Sequence, residues 1–260
     1  MSGASVRFPG LRGVLAAFFV YLYLPIVVLV VLSFNANQQA TIWTGFSVDW
    51  YGRVLANDDL MRAFRNSLVV ATTASMGATL LATLAALGTQ RRKGPAVDGI
   101  NALIALPLVV PEIVTAVASL LFFIMIGLKL GLGTVILAHL VFCVPFAYLP
   151  IRARLDGMDP ALEEAAADLY ATPVTTFRKV TLPLLWPGLL SGLMLAFIIS
   201  LDDFVITYFV SGAGATTLPV YIFGMIRIGV SPEVNAVSSL ILLISIAFVT
   251  ASWLVGRLRR

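Results

Sequence analysis

Charged residues are scarce in this chain. Only 12% of its 260 residues are Asp, Glu, Lys or Arg, whereas 60% are hydrophobic, and the mean hydropathy is +0.99. A typical soluble protein is about 25% charged. A soluble core of this size cannot bury so much apolar surface, so the composition predicts an integral membrane protein.

Groups suited to catalysis or metal binding are also few. The chain has one cysteine, Cys143, and one histidine, His139, each within an apolar run. No internal disulfide can form, no His/Cys cluster resembles a metal site, and these two residues do not make a nucleophile–base pair. We interpret His139 as structural. A phosphate-binding GxxxxGK[ST] loop is absent from the sequence, so we expect no nucleotide, cofactor or metal on this chain.

Long apolar runs are what the sequence does contain. They predict six transmembrane helices, at about 13–33, 66–88, 100–126, 132–151, 185–210 and 236–256. Each run is close to or longer than the roughly 20 residues that cross a bilayer. The runs are continuous rather than alternating, which favours helices over a barrel. Pro107 and Pro111 predict a kink or break in the third run. The first run is long enough to span and lacks a small-residue cleavage site after it, so a cleavable signal peptide is not expected.

Basic residues indicate the orientation of these helices. With six spans, twelve of the 17 basic residues fall on the side that holds both termini. They are Arg7, Arg12, Arg91, Arg92, Lys93, Arg152, Arg154, Arg178, Lys179, Arg257, Arg259 and Arg260. The positive-inside rule therefore predicts that both termini are cytoplasmic. The net charge of +4 is explained by this topology, and nucleic-acid binding is not expected.

The longest predicted cytoplasmic loop, residues 156–189, reads DGMDPALEEAAADLYATPVTTFRKVTLPLLWPGL. Asp159 and the proline after it predict the start of a helix through Leu169. Pro173 begins a second short helix that extends to about Val180, ahead of the fifth span. The two helices lie at the membrane surface, either as an interfacial hairpin with a structural role or as a docking element for a cytoplasmic partner.

Two adjacent carboxylates, Asp202 and Asp203, lie in the otherwise apolar stretch IISLDDFVIT at 198–207. An unpaired acid in hydrocarbon costs several kcal/mol, so acids within spans are candidates for function. In a continuous fifth helix both acids lie in its periplasmic half, and they cannot both face a pathway in the same way. We favour Asp203 slightly as the residue on the pathway.

A third acid, Glu112, follows Pro111, where a broken helix frees backbone groups to line a cavity. Carboxylates suit a cationic substrate, and nearby aromatic rings such as Phe204, Tyr208 and Phe209 add cation–π attraction. We therefore expect Glu112, Asp202, Asp203 and Tyr208 on a substrate pathway. The alternative is that the acids pair with arginine, cap a helix end or stabilise an assembly.

The stretch Glu164-Ala165-Ala166, followed by Asp168-Leu169 and later Leu182-Pro183, resembles the EAA loop of binding-protein-dependent ABC importer permeases. The resemblance implies that this loop docks in a groove of an ATP-hydrolysing subunit. The implied docking residues are Glu163, Glu164, Ala165, Ala166, Asp168, Leu169 and Tyr170. Tyr170 stands near the point where that family usually has a glycine.

Three further stretches make the resemblance more specific. They are PLVVPEIVTAVASLLFF (107–123), SLDDFVITYFVSG (200–212) and TLPVYIFGMIRIGVSPEVNAVSSLILL (217–243), and they resemble the second permease subunit of spermidine/putrescine-type importers. This implies a single all-α permease domain over 1–260 in a bacterial inner membrane, with the coupling loop at about 156–184. The implied partners are a pair of ATP-binding subunits, a homologous permease subunit, a periplasmic or extracellular solute-binding protein and the lipid membrane.

Three rival functions remain open at this point. The same machine could carry another solute, such as an organic amine, an amino-acid derivative or a phosphonate. A membrane-embedded enzyme would need catalytic groups at one depth, whereas the acids here are scattered along the chain. A secondary transporter would need no ATPase, so copurification with one would argue against it.

Overall fold

The computed structural model describes residues 10–37, 42–90, 92–229 and 231–258. Four arginines used above for the orientation, Arg7, Arg91, Arg259 and Arg260, lie outside the described residues. The described part is helical, with one isolated antiparallel bridge, Asn35 to Phe46, and no strand. The chain divides into two compact units, Met1–Met61 with Ile222–Arg260, and Arg62–Tyr221.

Twelve α-helices lie within the described residues. They are α1 Leu11–Leu32, α2 Asp49–Ala56, α3 Asp58–Thr89, α4 Pro95–Val109, α5 Glu112–Met125, α6 Leu132–Asp156, α7 Ala161–Asp168, α8 Pro173–Thr176, α9 Leu182–Asp202, α10 Val205–Val210, α11 Leu218–Ile228 and α12 Pro232–Leu258. A π-helical turn, Phe177–Thr181, joins α8 to α9.

Four of these segments are long and apolar enough to cross a membrane: α1, α3, α6 and the continuous run Pro173–Asp202. The pair α4 and α5 passes the same test as one broken span, bent by 108°. The described residues thus give four spans, or five with the bent pair. Two shorter apolar segments accompany them: α11, Leu218–Ile228, and the first part of α12, Pro232–Leu243. The six-span count stays a prediction.

The predicted break in the third apolar run is confirmed. It falls at Val110 and Pro111, both of which have extended backbone (ψ 131° and 135°). A residue that precedes a proline is pushed out of the helical region by a clash with the proline ring, which explains why the helix stops at Val109. Pro107 lies inside α4 and does not end it.

The prediction of a continuous helix over 185–210 is wrong. The helix α9 ends at Asp202, Asp203 is extended (φ −63°, ψ 127°), and α10 starts at Val205. At this break, the Asp203 carboxylate accepts hydrogen bonds from the backbone N–H groups of Ile206 and Thr207. Such a side-chain acceptor replaces the helical ladder and favours a new start. The helical spacing used to compare the two acids therefore does not apply.

The second short helix of the loop is also not separate from the fifth span, contrary to the prediction. The helix α8 passes through the π-helical turn directly into α9. Pro183 has no N–H for the carbonyl four residues before it, which loosens the ladder at this point and suits a wider turn. The first loop helix, α7, ends at Asp168, one residue before its predicted end at Leu169.

In the unit formed by the two chain ends, α1 and α2 each pack against α12. Polar side chains hold the segment between α1 and α2. The Trp50 Nε1–H donates to the Asn35 carbonyl at 2.8 Å, and the Ser33 and Tyr51 hydroxyl oxygens are 2.6 Å apart. In the part of the chain that the structure describes, no residue of the apolar stretch of α1 is fully buried, which leaves much of its surface for lipid or another subunit.

In the unit Arg62–Tyr221, the packing of α9 on α6 positions the functional site. A stripe of small residues, Gly188, Gly192, Ala196 and Ser200, recurs every four positions on α9 and is buried. Residues at this spacing share one helix face, and small side chains there let two backbones approach closely. A Cβ at Gly192 would lie 2.7 Å from the Ala147 carbonyl oxygen of α6. The stripe leads to Ser200, beside the break that ends α9.

Candidate functional site

The two adjacent acids occupy different environments at the α9–α10 break. The side chain of Asp203 is 1% exposed, whereas Asp202 is exposed. Asp203 Oδ1 accepts from the backbone N–H of Thr207 at 3.0 Å and from its hydroxyl at 3.2 Å, and Oδ2 accepts from the N–H of Ile206 at 3.3 Å. Asp203 therefore caps α10, and Asp202 has no part in the cap.

His139 of α6 contacts the same break from a third helix. It is 1% exposed, and its Nε2 lies 3.0 Å from Asp203 Oδ1 and 2.9 Å from Thr207 Oγ1. Its Nδ1 lies 2.8 Å from Ser200 Oγ. Ser200 belongs to α9 and Thr207 to α10, so the ring bridges the two helices. The contact between this histidine and Asp203 had no signal in the sequence beyond a lone polar ring in an apolar helix.

Glu112 joins this group from the start of α5. Its half-buried side chain faces the same space as Asp202 and Asp203. The two helix breaks, α4–α5 and α9–α10, thus meet and bring the three predicted acids of the membrane runs together.

A cavity of about 390 Å³ lies at this meeting point. Its polar lining comes from Glu112, Asp202 and Asp203, and its aromatic lining from three phenylalanines, Phe142, Phe146 and Phe204. Sequence reasoning missed Phe142 and Phe146, although their four-residue spacing on α6 places them on one face. Carboxylates beside aromatic rings suit a cation with an apolar stem, through charge and cation–π attraction.

Tyr208, the fourth predicted pathway residue, does not line this cavity. Its ring is 48% exposed and lies 5.3 Å, centroid to centroid, from the ring of Phe204, which does. Tyr208 thus contacts the site through a neighbouring ring. Among the described residues, no group of three or more His, Cys, Asp or Glu side chains is arranged to hold a metal ion.

The predicted docking residues lie on and just after α7. Asp159 Oδ1 accepts from the Ala161 N–H at 3.0 Å, which agrees with the predicted helix start. At the other end, Leu169 is 81% and Tyr170 is 96% exposed. The remaining members Glu164, Ala165 and Asp168 are exposed, and Ala166 is half-buried. Most of this set is thus free of packing within the chain.

Tyr170 adopts a left-handed backbone, with φ at 57°. Its N–H donates to the Ala167 carbonyl at 2.9 Å, and the Ala171 N–H donates to the Ala166 carbonyl at 3.0 Å. These two bonds form a Schellman motif, in which the left-handed position is usually glycine. The geometry explains why a glycine is common at this point of the loop, and it places a strained tyrosine there in this chain.

Glu163 differs from the other docking residues because it bonds to its own chain. Its Oε1 accepts from the Thr181 hydroxyl at 2.8 Å. Thr181 closes the π-helical turn from which α9 begins. A cavity of about 330 Å³, lined also by Leu87, Gln90 and Phe177, lies beside this bond. The hydrogen bond ties α7 to the base of the helix that ends at Asp202.

Comparison with known proteins gives consistent results. The family model described as binding-protein-dependent transport system inner membrane component matches residues 78–260. The spermidine/putrescine transport system permease protein PotC of Escherichia coli (strain K12) is 37% identical over 245 residues, 94% of this chain and 93% of that protein. The putrescine transport system permease protein PotI of the same strain is 41% identical over 244 residues, 91% and 87% of the two chains.

A solved structure shares the fold. A chain of a bacterial ABC transporter involved in the import of the acidic polysaccharide alginate superposes with a TM-score of 0.71, covering 95% of this chain and 94% of that chain. The sequence identity is 17%, so this likeness concerns the fold alone.

Proposed function

The chain belongs to the family of binding-protein-dependent transport system inner membrane components, as a permease subunit of an ABC importer, and we propose that it carries putrescine and spermidine into the cytoplasm. The substrate assignment rests on one observation, the cavity whose lining combines Glu112, Asp202 and Asp203 with three phenylalanines. Polyamines are chains of methylene groups with several ammonium groups, so carboxylates and aromatic faces match both parts. The names of the two relatives, at 37% and 41% identity, support the same class.

The proposal includes a topology of six spans with both termini cytoplasmic. The bent pair α4–α5 forms the third span, α9 forms the main part of the fifth, and α12 forms the sixth. Irregular backbone inside a membrane is stable where it lines a cavity, which fits the positions of the two breaks. The coupling loop then lies on the cytoplasmic side, within one permease domain.

The partners follow from the same family. We propose a second, homologous permease subunit, a pair of ATP-binding subunits and a solute-binding protein that delivers substrate from outside. The exposed residues Leu169 and Tyr170 at the end of α7 would enter a groove of the ATP-binding subunit. ATP binding would then shift α7, and alternating access would expose the acid-lined cavity to one side at a time.

Uptake tests the substrate directly. Cells that lack this chain would receive the wild-type gene, and the initial uptake of labelled putrescine and spermidine would be measured. We expect uptake to depend on the gene and unlabelled polyamines to compete, with no competition from a phosphonate or an amino-acid derivative. Gene-dependent uptake that only such an anionic or zwitterionic solute inhibits would contradict the polyamine assignment and leave the importer assignment in place.

The strained tyrosine gives a prediction for docking. Tyr170→Ala removes the exposed ring and keeps the left-handed strain, whereas Tyr170→Gly removes both. Glycine should favour the turn by about 1 kcal/mol over alanine, because the left-handed region costs a Cβ-bearing residue roughly that amount. We expect the alanine variant to bind the ATP-binding subunit several-fold more weakly in copurification, with glycine in between. Equal binding by both variants and wild type would exclude the ring from the interface.

The bond between Glu163 and Thr181 gives a prediction for coupling. Thr181→Val keeps the side-chain shape and removes the hydroxyl that donates to Glu163. We expect the assembled complex to hydrolyse ATP at close to its normal rate and to take up substrate more slowly, because movement of α7 is passed less firmly to α9. Thr181→Ser is the matched control and should behave as wild type. An unchanged ratio of uptake to hydrolysis in the valine variant would show that this bond does not transmit the movement.

A further inference from the structure

The break between α9 and α10 has little backbone support of its own. Two residues, Asp203 and Phe204, separate the helices, and Asp203 is extended. The cap that Asp203 provides ties it to α10 but not to α9. The relative direction of the two helices therefore depends on contacts from elsewhere in the unit.

His139 supplies such a contact with both ring nitrogens. The ring lies on α6, bonds to Ser200 at the end of α9 through Nδ1, and reaches Thr207 of α10 through Nε2. Since Nε2 is 3.0 Å from a carboxylate oxygen of Asp203, that nitrogen carries a proton. Three elements are thus joined at one buried ring that is 1% exposed.

The same ring holds the carboxylate of Asp203. Asp203 Oδ1 is held by His139 and by Thr207, and Oδ2 accepts from the Ile206 N–H. With Asp203 turned inward, the residue before it, Asp202, is exposed and lines the cavity. His139 itself is not among the residues that line the cavity.

We infer that His139 is a positioning residue: it holds the α9–α10 break so that the acids at the break present a fixed arrangement of carboxyl groups to the ammonium groups of the substrate. This inference rests on the proposed function. Small displacements of binding groups cost large factors in recognition, so loss of the ring should act mainly on substrate affinity. A side chain that only filled space would, when replaced, change the amount of assembled complex and leave the KM of each remaining complex unchanged.

The test compares three variants in cells that lack the chain, with membrane amounts measured. His139→Leu keeps much of the volume and removes both hydrogen bonds. His139→Gln keeps an N–H donor for Asp203. Cys143→Ala is the matched control, because Cys143 lies one turn further along α6, is fully buried, and contacts the Ala196 carbonyl rather than an acid.

We expect His139→Leu to raise the KM for putrescine about tenfold, with the maximal rate per complex within about twofold of wild type. The KM of His139→Gln should lie between those of His139→Leu and the wild type. Cys143→Ala should keep the wild-type KM. An unchanged KM in His139→Leu would overturn the inference. If that variant does not reach the membrane, the KM of His139→Gln decides in the same way, with a wild-type value against the inference.

A second readout does not depend on the substrate. Ile206, which is fully buried beside the break, would be replaced by cysteine in the Cys143→Ala background and exposed to a water-soluble thiol reagent. We expect protection with His139 present and rapid labelling with His139→Leu. Protection in both would overturn the inference. If the wild type takes up no polyamine, the proposed substrate fails, and this labelling alone decides whether His139 holds the break.

Discussion

Gly192→Val is expected to prevent the permease from accumulating in the membrane as an assembled complex. A Cβ at this position would lie 2.7 Å from the Ala147 carbonyl oxygen and 3.2 Å from two carbon atoms of the Ile151 side chain. The nearest atom belongs to the backbone of α6, so no rotamer change relieves the contact. Forcing α6 and α9 apart costs on the order of 3 kcal/mol or more. It also moves Ser200 away from His139, and thereby disturbs the acid-lined cavity.

The matched control is Gly133→Val, on α6 itself. A Cβ at Gly133 meets no heavy atom within 4 Å. Both variants carry the same helix-propensity change from glycine to valine, so a difference between them reports the α6–α9 contact. The measurement is the amount of complex that copurifies in detergent and its thermal midpoint. Normal assembly of Gly192→Val would show that the two helices do not pack as closely as the structure has them.

Asp202→Asn is expected to lower uptake about tenfold or more in complexes that assemble normally. Asp202 is exposed and lines the cavity, and it plays no part in the cap of α10, so the substitution removes a negative charge without removing a structural bond. A charge pair near 4 Å is worth about 4 kcal/mol at an effective dielectric constant of 20, and about 1.4 kcal/mol corresponds to a factor of ten. The measurement is the initial rate of labelled putrescine uptake per amount of complex.

Variants of Asp203 separate charge from structure at the same break. Asp203→Asn keeps an oxygen that accepts from the Thr207 N–H and loses the charge opposite His139. It should lower uptake and leave the complex assembled. Asp203→Ala removes the cap as well and should reduce the amount of complex. Normal uptake in both Asp202→Asn and Asp203→Asn would reject a pathway role for the pair and leave Asp203 as a helix cap only.

The sequence predicted much of the fold because hydrophobic runs and proline act locally. Continuous apolar stretches indicated α1, α3 and α6, and Pro111 indicated the break before Glu112. The helix at 161–168 followed from the capping residues that precede it. These features depend on neighbours in the chain, and the chain order gives those neighbours directly.

The end of α9 could not be predicted in the same way. The two acids are the only charged residues between Leu185 and Val210, and nothing in the pattern of this run marks a stop. The stop depends on Asp203 turning back to cap α10, and this arrangement is stable because His139, on another helix, bonds to the same carboxylate as the N–H groups of α10. Without those partners a buried carboxylate would be too costly to keep.

The sequence by itself determined that this is a helical membrane protein, where its main apolar segments lie, and that acids occur within them. Only the tertiary structure decided that Glu112, Asp202 and Asp203 share one cavity, that Phe142 and Phe146 help to line it, and that His139 contacts Asp203. Composition and periodicity report the solvent that each segment prefers, so this information can be taken from the sequence without knowing the fold. Contacts between residues 30 to 90 positions apart depend on how two broken helices meet on α6, and that arrangement comes from side-chain packing across the whole unit.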